Sequence, residues 1–253
     1  MRGQELDIRI LTVGDAAFTI EFPNLEGVSG ARQVAALRSR VQEKIKAGQL
    51  SGIVDIISAS RSLTICLDPF VADYKFLQTA VATLAKQKLS LAKRASQLWR
   101  LPACYEGEYG PDLEEVAERS AMSTQEVVAL HSAREYELLQ IGFLPGFPFL
   151  AELDERLRFP RRASPRVRVP AGSVGIANAQ TAIYPWESPG GWHLLARCPV
   201  PLFNPLWDRP SLLDTGAKVT FEPISSKDLA LLQQDLSRGR LDPHSFAVER
   251  KEG

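Results

Sequence analysis

The chain has 253 residues, of which 45% are hydrophobic and 24% are charged, and this is the composition of a soluble globular protein with room for one large domain or two ordinary ones. Thirty basic residues balance thirty acidic residues, which argues against nucleic acid as a general partner because a phosphate backbone is bound by a basic surplus. No stretch approaches the roughly 20 apolar residues of a membrane helix, and the N-terminal stretch lacks the apolar core of a secretory signal, so we expect a cytoplasmic protein.

The cysteines and histidines are few and widely spaced. Three cysteines without a Cys-x-x-Cys pair do not predict a disulfide framework or a zinc knuckle, and we expect reduced, buried thiols at Cys66, Cys104 and Cys198. Three histidines occur, none at metal-ligand spacing: His131, His193 and His244. We therefore expect no metal site in this chain.

The first part of the chain, residues 1–94, predicts a small α/β domain. Two β-rich runs flank a Gly-Asp turn, and a second pair follows later, which predicts hairpins at 8–13 with 16–22 and at 53–60 with 62–68. Apolar residues at helical spacing predict helices at 31–47 and 73–91. The order ββαββα indicates a small sheet with two helices packed on one side. Its apolar stripes are those of an ordinary core, and we assign it no chemistry.

The second part, residues 95–253, predicts an antiparallel β-barrel. A strand at 98–105 is followed by a helix from Pro111 to Met122, whose first-turn acids complement the helix dipole, and Ser123 with Glu126 forms a capping-box sequence that opens another helix at 123–136. After Leu138 the pattern predicts short strands at 143–150, 166–169, 172–178, 181–185, 192–197 and 217–222. A late helix is expected at 225–241. The overall class is therefore α+β.

The stretch from Ile141 to Trp192 is punctuated by proline or glycine every few residues. Proline fixes φ and donates no backbone hydrogen bond, and glycine alone enters left-handed conformations readily. Such a stretch cannot form a long helix, so we predict short strands joined by fixed turns. Because it also holds arginines, polar side chains and a Ser-Pro-Gly-Gly-Trp turn, we expect any chemistry of this chain to lie here.

His131 is the candidate catalytic residue. It lies one step beside the inner face of the helix that leads into the Gly-Phe-Leu-Pro-Gly-Phe-Pro turn at 142–148. A histidine with a pKa of about 6.5 transfers protons at neutral pH, and the roles expected for a site here are to polarise an amide carbonyl or to handle a phosphorylated intermediate. The alternative is a partly buried histidine bonded to a backbone carbonyl between the helix and the barrel.

Arg166 and Arg168 are candidate substrate-binding residues. They alternate with Val167 and Val169, so the two arginines are expected on one strand face and the two valines on the other. Guanidinium groups hold carboxylates and phosphates with two parallel hydrogen bonds. A solvated surface is the alternative for this basic run.

Further polar and aromatic candidates follow in the same stretch. Donors and acceptors that fix a small amide or carboxylate, and backbone amides that form an anion nest, are expected at Gln180, Thr181, Tyr184, Gly190 and Gly191. An apolar pocket or partner surface is expected at Pro145, Phe147 and Trp192. Turn stabilisation and core packing are the respective alternatives.

Five segments carry a family resemblance: CYEGEYGPDLEEVAERS (104–120), LHSAREYELLQIGFLPGFPFL (130–150), SPRVRVPAGSVGIA (164–177), QTAIYPWESPGGWHLL (180–195) and PLFNP (201–205). With these segments the sequence resembles the KipI family, also described as allophanate hydrolase subunit 1 or the B subunit of bacterial 5-oxoprolinase. The resemblance covers residues 5 to 225, which is nearly the whole chain.

The resemblance implies a small α/β domain followed by a cyclophilin-like barrel. It implies one subunit of an ATP-dependent 5-oxoprolinase, which opens the pyroglutamate ring to glutamate together with a KipA-like C subunit, and with a LamB/YcsF-like A subunit. Because the chain has no Gly-x-x-x-x-Gly-Lys-[Ser/Thr] sequence, ATP is expected at a site of another kind or on a partner. Two other functions stay open: inhibition of a sensor histidine kinase, and a carboxyltransferase-like role related to allophanate hydrolase or urea carboxylase.

Overall fold

The structure is a computed structural model that describes residues 6–87 and 97–248. The chain divides into two compact units, residues 1–95 and residues 96–253. The boundary expected at residues 94–95 lies outside the described residues. Among the described residues, no helix combines the length and the apolar character needed to cross a bilayer.

The first unit runs strand, strand, helix, strand, strand, helix. Its elements are β1 Arg9–Val13, β2 Ala17–Glu21, α1 Gly27–Lys46, β3 Ile53–Ser58, β4 Ser62–Leu67 and α2 Tyr74–Ala85. The helix expected to begin at residue 31 begins at Gly27, and the helix expected to reach residue 91 ends at Ala85. The last part of that second expectation, residues 88–91, lies outside the described residues.

The sheet of the first unit has the order β1-β2-β4-β3, with every pair antiparallel. Side chains alternate across a strand, so Phe18, Ile20, Leu63 and Ile65 share one face, and all four are fully buried. They form one core with the apolar side of α1 and α2, including Val34, Leu37, Val41, Leu77 and Val81. The core of this unit therefore lies on one face of the sheet.

The second unit begins with a strand and two helices and continues mainly as short strands. Its elements are β5 Leu98–Cys104, α3 Leu113–Arg119, α4 Thr124–Ser132, β6 Tyr136–Ile141, β7 Pro148–Ala151, β8 Arg166–Val169, β9 Ser173–Ala177, β10 Gln180–Ile183, β11 Ser188–Gly190, β12 His193–Arg197, β13 Lys218–Ile224, α5 Ser226–Ser237 and β14 Ala247–Val248. Of the strand expected at 143–150, only residues 148–150 lie in a strand, β7, and β6 precedes the expected range; the five later strands are confirmed to within two residues.

Seven strands of residues 97–248 close into a barrel. The order is β12-β9-β10-β7-β6-β13-β5, and β5 pairs with β12 at Cys104 and Arg197 to complete the ring. The expected α+β class with a barrel is confirmed. The expectation of a wholly antiparallel barrel is wrong for one pair, because β13 runs parallel to β5. These strands stand far apart in the sequence, so no short turn dictates their relative direction.

Helix α4 ends and strand β6 begins earlier in the chain than the sequence predicts. The capping box of Ser123 and Glu126 is confirmed at the start of α4. The helix was expected to continue to Tyr136, but it ends at Ser132. Tyr136 instead opens β6, where its ring is buried and its hydroxyl donates to the backbone oxygen of His131 at 2.8 Å. Burial of this ring in the barrel outweighs the helical pattern.

A two-stranded ribbon of β8 and β11 lies against the outside of the barrel. Val169 of β8 is fully buried and packs with Ala182 and Tyr184, which face outward from the barrel wall. The turn expected around residues 188–191 is therefore a strand, β11, at residues 188–190, and it pairs with β8. All three cysteines are unpaired; Cys104 and Cys198 are buried as expected, but Cys66 is only partly buried.

The capping box generates a stability prediction. In Ser123→Ala the backbone N–H of Glu126 loses its side-chain acceptor, which lies at 3.2 Å, so we expect the free energy of unfolding to fall by about 1 kcal/mol. Urea denaturation followed by circular dichroism measures this change. Thr124→Ala alters the neighbouring residue without touching the cap and is the matched control, with an expected change below about 0.5 kcal/mol. Equal losses in both variants would contradict the prediction.

Candidate functional site

His131 lies at the end of α4 and is fully buried inside the barrel. The Tyr105 hydroxyl lies 2.7 Å from Nδ1, and Thr181 Oγ1 lies 3.0 Å from Nε2. Thr181 donates its own proton to the backbone oxygen of Gly175 at 3.1 Å, so its oxygen accepts from Nε2–H. Nδ1 must then accept from Tyr105, whose pKa burial raises so that the hydroxyl keeps its proton. Both ring nitrogens of His131 are therefore occupied.

The environment of the imidazole keeps it neutral. Phe221 stacks on the ring at a centroid distance of 4.8 Å and an interplanar angle of 22°. Burial lowers the pKa of His131 to about 3, because a charged ring would lose its hydration without gaining a carboxylate. At neutral pH, His131 is an uncharged member of a hydrogen-bonded chain, and it offers neither nitrogen to a ligand in this arrangement. Its predicted catalytic role stays a prediction.

A second assembly lies on the outside of the barrel wall. We call it the outer aromatic cluster; its members are Phe147, Phe149, Tyr184 and Trp192. The ring centroid of Phe147 lies 5.1 Å from that of Tyr184 and 6.2 Å from that of Trp192, both edge to face. Phe149 lies 6.0 Å from Trp192 and is only partly buried. The structure thus brings together three of the predicted residues, and Phe149 gives the cluster an accessible edge.

Gly190 is required for the packing of Tyr184. A Cβ atom at Gly190 would lie 2.9 Å from Cζ of the Tyr184 ring, so a larger residue would displace the ring. At Gly191 the nearest atoms would lie 3.6 Å away, which is ordinary contact. The backbone oxygen of Gly191 accepts from the N–H of Arg162 at 2.7 Å. Pro145 is exposed beside the cluster, and its backbone oxygen accepts from the Trp186 indole at 3.1 Å.

A charged assembly adjoins the aromatic one, and we call it the Asp112 cluster: Asp112, Glu115, Arg119, Arg162 and Arg166. One carboxylate oxygen of Asp112 accepts from Arg162 at 3.0 Å and from Arg166 at 2.6 Å. Its other oxygen accepts from the backbone N–H of Leu194 at 2.7 Å. Glu115 accepts from Arg162 at 2.8 Å and from Arg119 at 3.1 Å. The hydrogen bond from Arg162 is the main cause that lowers the pKa of Glu115.

The two predicted arginines do not form one site. Arg166 turns to Asp112, whereas Arg168 is 76% exposed and pairs with Glu187 at 2.8 Å. Val167 and Val169, which were expected on one strand face, differ in burial, since Val169 is fully buried and Val167 is 82% exposed. The pairing of β8 with β11 shifts register between Ser188 and Gly190. Such an irregularity breaks the strict alternation of side chains, and this separates Arg166 from Arg168.

The predicted polar group on β10 is divided between two sides of the barrel wall. Thr181 points inward to His131, whereas Tyr184 belongs to the outer aromatic cluster. Gln180 opens the strand, partly buried, in register with Ala151 and Ala177. Because neighbouring positions on a strand face opposite sides, Gln180, Thr181 and Tyr184 cannot converge on one small ligand.

Sequence reasoning missed Asp112, Glu115, Arg162 and His193. Acids after Pro111 were interpreted through the helix dipole, but Asp112 is only 4% exposed and accepts hydrogen bonds from distant residues. His193 is buried; its Nε2 donates to the Pro160 carbonyl at 3.1 Å, and burial lowers its pKa. Within residues 6–87 and 97–248, no group of three or more His, Cys, Asp or Glu side chains is arranged to hold a metal ion.

Comparison with known proteins places this architecture in a family. Residues 8–213 match the carboxyltransferase domain, subdomain C and D. The chain is 37% identical over 231 residues to the 5-oxoprolinase B subunit of Bacillus subtilis (strain 168), which covers 87% of this chain and 94% of that protein. The alignment thus spans nearly the full length of the relative.

Solved structures extend the comparison. TTHA0988 has a TM-score of 0.70 and 35% identity over 83% of this chain, which spans 40% of that longer protein. The K. lactis urea amidolyase has a TM-score of 0.76 over 95% of this chain but only 21% identity, and the match spans 16% of that protein; this likeness supports the fold alone. Residues 8–213 match the family model, and the 37% identity to the Bacillus subtilis protein extends over 94% of that protein. The chain therefore belongs to the carboxyltransferase subdomain C and D family that includes the B subunits of 5-oxoprolinase.

Proposed function

We propose that this chain is the B subunit of an ATP-dependent 5-oxoprolinase, the enzyme that opens the lactam ring of 5-oxoproline to give glutamate. The observation that carries the proposal is the 37% identity to the 5-oxoprolinase B subunit of Bacillus subtilis, over 87% of this chain and 94% of that protein. A match over both lengths leaves no large part of either chain unaccounted for.

In this proposal the chain works in the cytoplasm with two other polypeptides, a KipA-like C subunit, and a LamB/YcsF-like A subunit. The relative is named as one subunit, and in TTHA0988 the matching region is 40% of a longer chain. Both facts support a domain that acts beside others. ATP is bound by a partner or shared with one. The cyclophilin-like character of the barrel is also part of the proposal.

The outside of the barrel suits a small cyclic acid. Leu194 links the two assemblies there, since its side chain packs in the outer aromatic cluster and its backbone N–H donates to Asp112. Guanidinium groups bind carboxylates, and aromatic rings cover flat apolar surface. We therefore place the carboxylate of 5-oxoproline toward Arg166 and its ring toward Phe149 and Trp192.

His131 has a structural part in this proposal. Its ring joins three segments of the barrel through Tyr105, Thr181 and the stacked Phe221. Hydrogen bonds at both ring nitrogens fix the tautomer and the orientation of the imidazole. Proton transfer to the substrate is assigned to groups outside this chain's interior.

Reconstitution tests the proposed function. The chain is produced together with its KipA-like and LamB/YcsF-like partners, and ATP hydrolysis is measured with and without 5-oxoproline. We expect 5-oxoproline-dependent hydrolysis that disappears when this chain is omitted, because a required component would be missing. Full activity in the absence of this chain would remove its place in the enzyme.

The buried imidazole predicts a pH dependence of stability. The pKa of His131 is about 3 in the folded protein against an ordinary value of 6.5. Below pH 6.5 the unfolded state binds more protons than the folded state, so the free energy of unfolding falls as the pH decreases toward 3. At about pH 5 the loss is about 2 kcal/mol. In His131→Gln this part of the decline should be absent, as measured by urea denaturation at stepped pH.

The control for this prediction is His244→Gln, which replaces a half-exposed histidine and leaves the buried imidazole of His131 in place. An identical decline in wild type and His131→Gln would show that His131 is not held neutral. Should the His131→Gln complex assemble with unchanged stability at about pH 8 and still lose 5-oxoproline-dependent ATP hydrolysis, His131 has the catalytic role and the structural interpretation is wrong.

A further inference from the structure

Arg162 and Arg166 are held together by one oxygen atom. The Oδ1 atom of Asp112 lies 3.0 Å from Nη1 of Arg162 and 2.6 Å from Nη2 of Arg166. The carboxylate is 4% exposed, and its Oδ2 atom is fixed by the backbone N–H of Leu194 at 2.7 Å. With both oxygens engaged, the position of Asp112 determines where the two guanidinium groups lie.

Each of these guanidinium groups keeps an unused donor. Within the described part of the chain, Nε of Arg162 and Nη1 of Arg166 are buried and have no hydrogen-bond partner. The two side chains as a whole are 28% and 27% exposed, so part of each arginine is open to solvent. A buried donor without an acceptor is unfavourable by itself. The arrangement is therefore suited to an acceptor that the chain does not supply.

The net charge of the Asp112 cluster indicates that this acceptor is an anion. Three guanidinium groups, of Arg119, Arg162 and Arg166, face two carboxylates, of Asp112 and Glu115. Burial lowers the pKa of the adjoining His193, so it adds no positive charge at neutral pH. One positive charge stays uncompensated within the cluster, and a single small anion balances it.

The position of the arginines fits a ligand with an apolar body. Arg166 is paired with Gly190 across β8 and β11, and Gly190 packs directly on the ring of Tyr184. The backbone oxygen of Gly191 accepts from the N–H of Arg162 at 2.7 Å. The donors thus adjoin the outer aromatic cluster rather than a separate surface.

We infer that Arg162 and Arg166 together bind the carboxylate of a small organic acid, and that Asp112 is the positioning residue that sets the two guanidinium groups. The identity of the acid as 5-oxoproline rests on the proposed function. The anion site itself rests on the geometry of Asp112, Arg162 and Arg166. Arg162 is then a second binding residue beside Arg166.

Equilibrium binding to the assembled complex tests this inference. The two ligands are 5-oxoproline and its neutral carboxamide, 5-oxoprolinamide, which differ only in the charged group, and isothermal titration calorimetry measures both. We expect the wild-type complex to prefer the acid. In Asp112→Asn the two guanidinium groups lose the carboxylate that positions them, so, although the cluster becomes more positive, binding of the acid should weaken about ten- to hundredfold while binding of the amide changes little.

The matched control is Asp214→Asn, which neutralises an exposed aspartate that also pairs with an arginine, Arg209, at 2.8 Å. It should leave the preference for the acid unchanged. A merely structural role of Asp112 would weaken both ligands equally, and that outcome overturns the inference. So does a wild-type complex that binds the acid and the amide alike.

A second variant covers the case in which Asp112→Asn does not fold. Arg162→Lys keeps the positive charge at a partly exposed position but loses the planar fork of donors. We expect it to reduce the preference for the acid about tenfold in a complex that still assembles. An unchanged preference would exclude Arg162 from the site. A complex that shows the preference but no 5-oxoproline-dependent ATP hydrolysis would contradict the proposed function and leave the anion site standing.

Discussion

The burial of one carboxylate is the constraint on which the outer surface of the barrel depends. A side chain that is 4% exposed loses nearly all its hydration, and an isolated buried charge is strongly unfavourable. Asp112 is compensated by two guanidinium groups and a backbone N–H. These donors come from the segment before β8, from β8 itself and from β12. The hydrogen bonds of Asp112 therefore fix its own segment, residues 162–166 and β12 against each other.

The polar groups inside the barrel are uncharged, in contrast to those of the Asp112 cluster outside it. There the polar groups are neutral, and the chain from Tyr105 through His131 and Thr181 to Gly175 satisfies each donor and acceptor in turn. A neutral network of this kind is compatible with a closed apolar core. The two sides of one barrel wall thus carry different electrostatics, separated by the alternation of side chains along β10.

Local patterns in the sequence predicted most of the elements, because hairpins, the cap at Ser123 and the later strands depend on near neighbours. Three features depended on distant residues instead. The parallel pairing of β13 with β5 is set by barrel closure. The register shift opposite β8 separates Arg166 from Arg168. The sequence suggested only an interaction of Asp112 with the helix dipole, because its hydrogen-bond partners are distant in the chain. Arg166, Tyr184 and Trp192 were identified from the sequence, but Arg162 and Asp112 required the fold.

The closure of the barrel through β5 has a consequence for how the protein is made. Strand β5 opens the second unit, yet its two ring neighbours, β12 and β13, lie near the far end of that unit. During synthesis on the ribosome, β5 cannot pair with both neighbours until residue 224 has emerged. Contacts between such distant segments make folding slow. The nascent chain therefore exposes an unpaired edge of β5 while residues 105–224 are being made, and an exposed edge of this kind is a template for pairing with another chain.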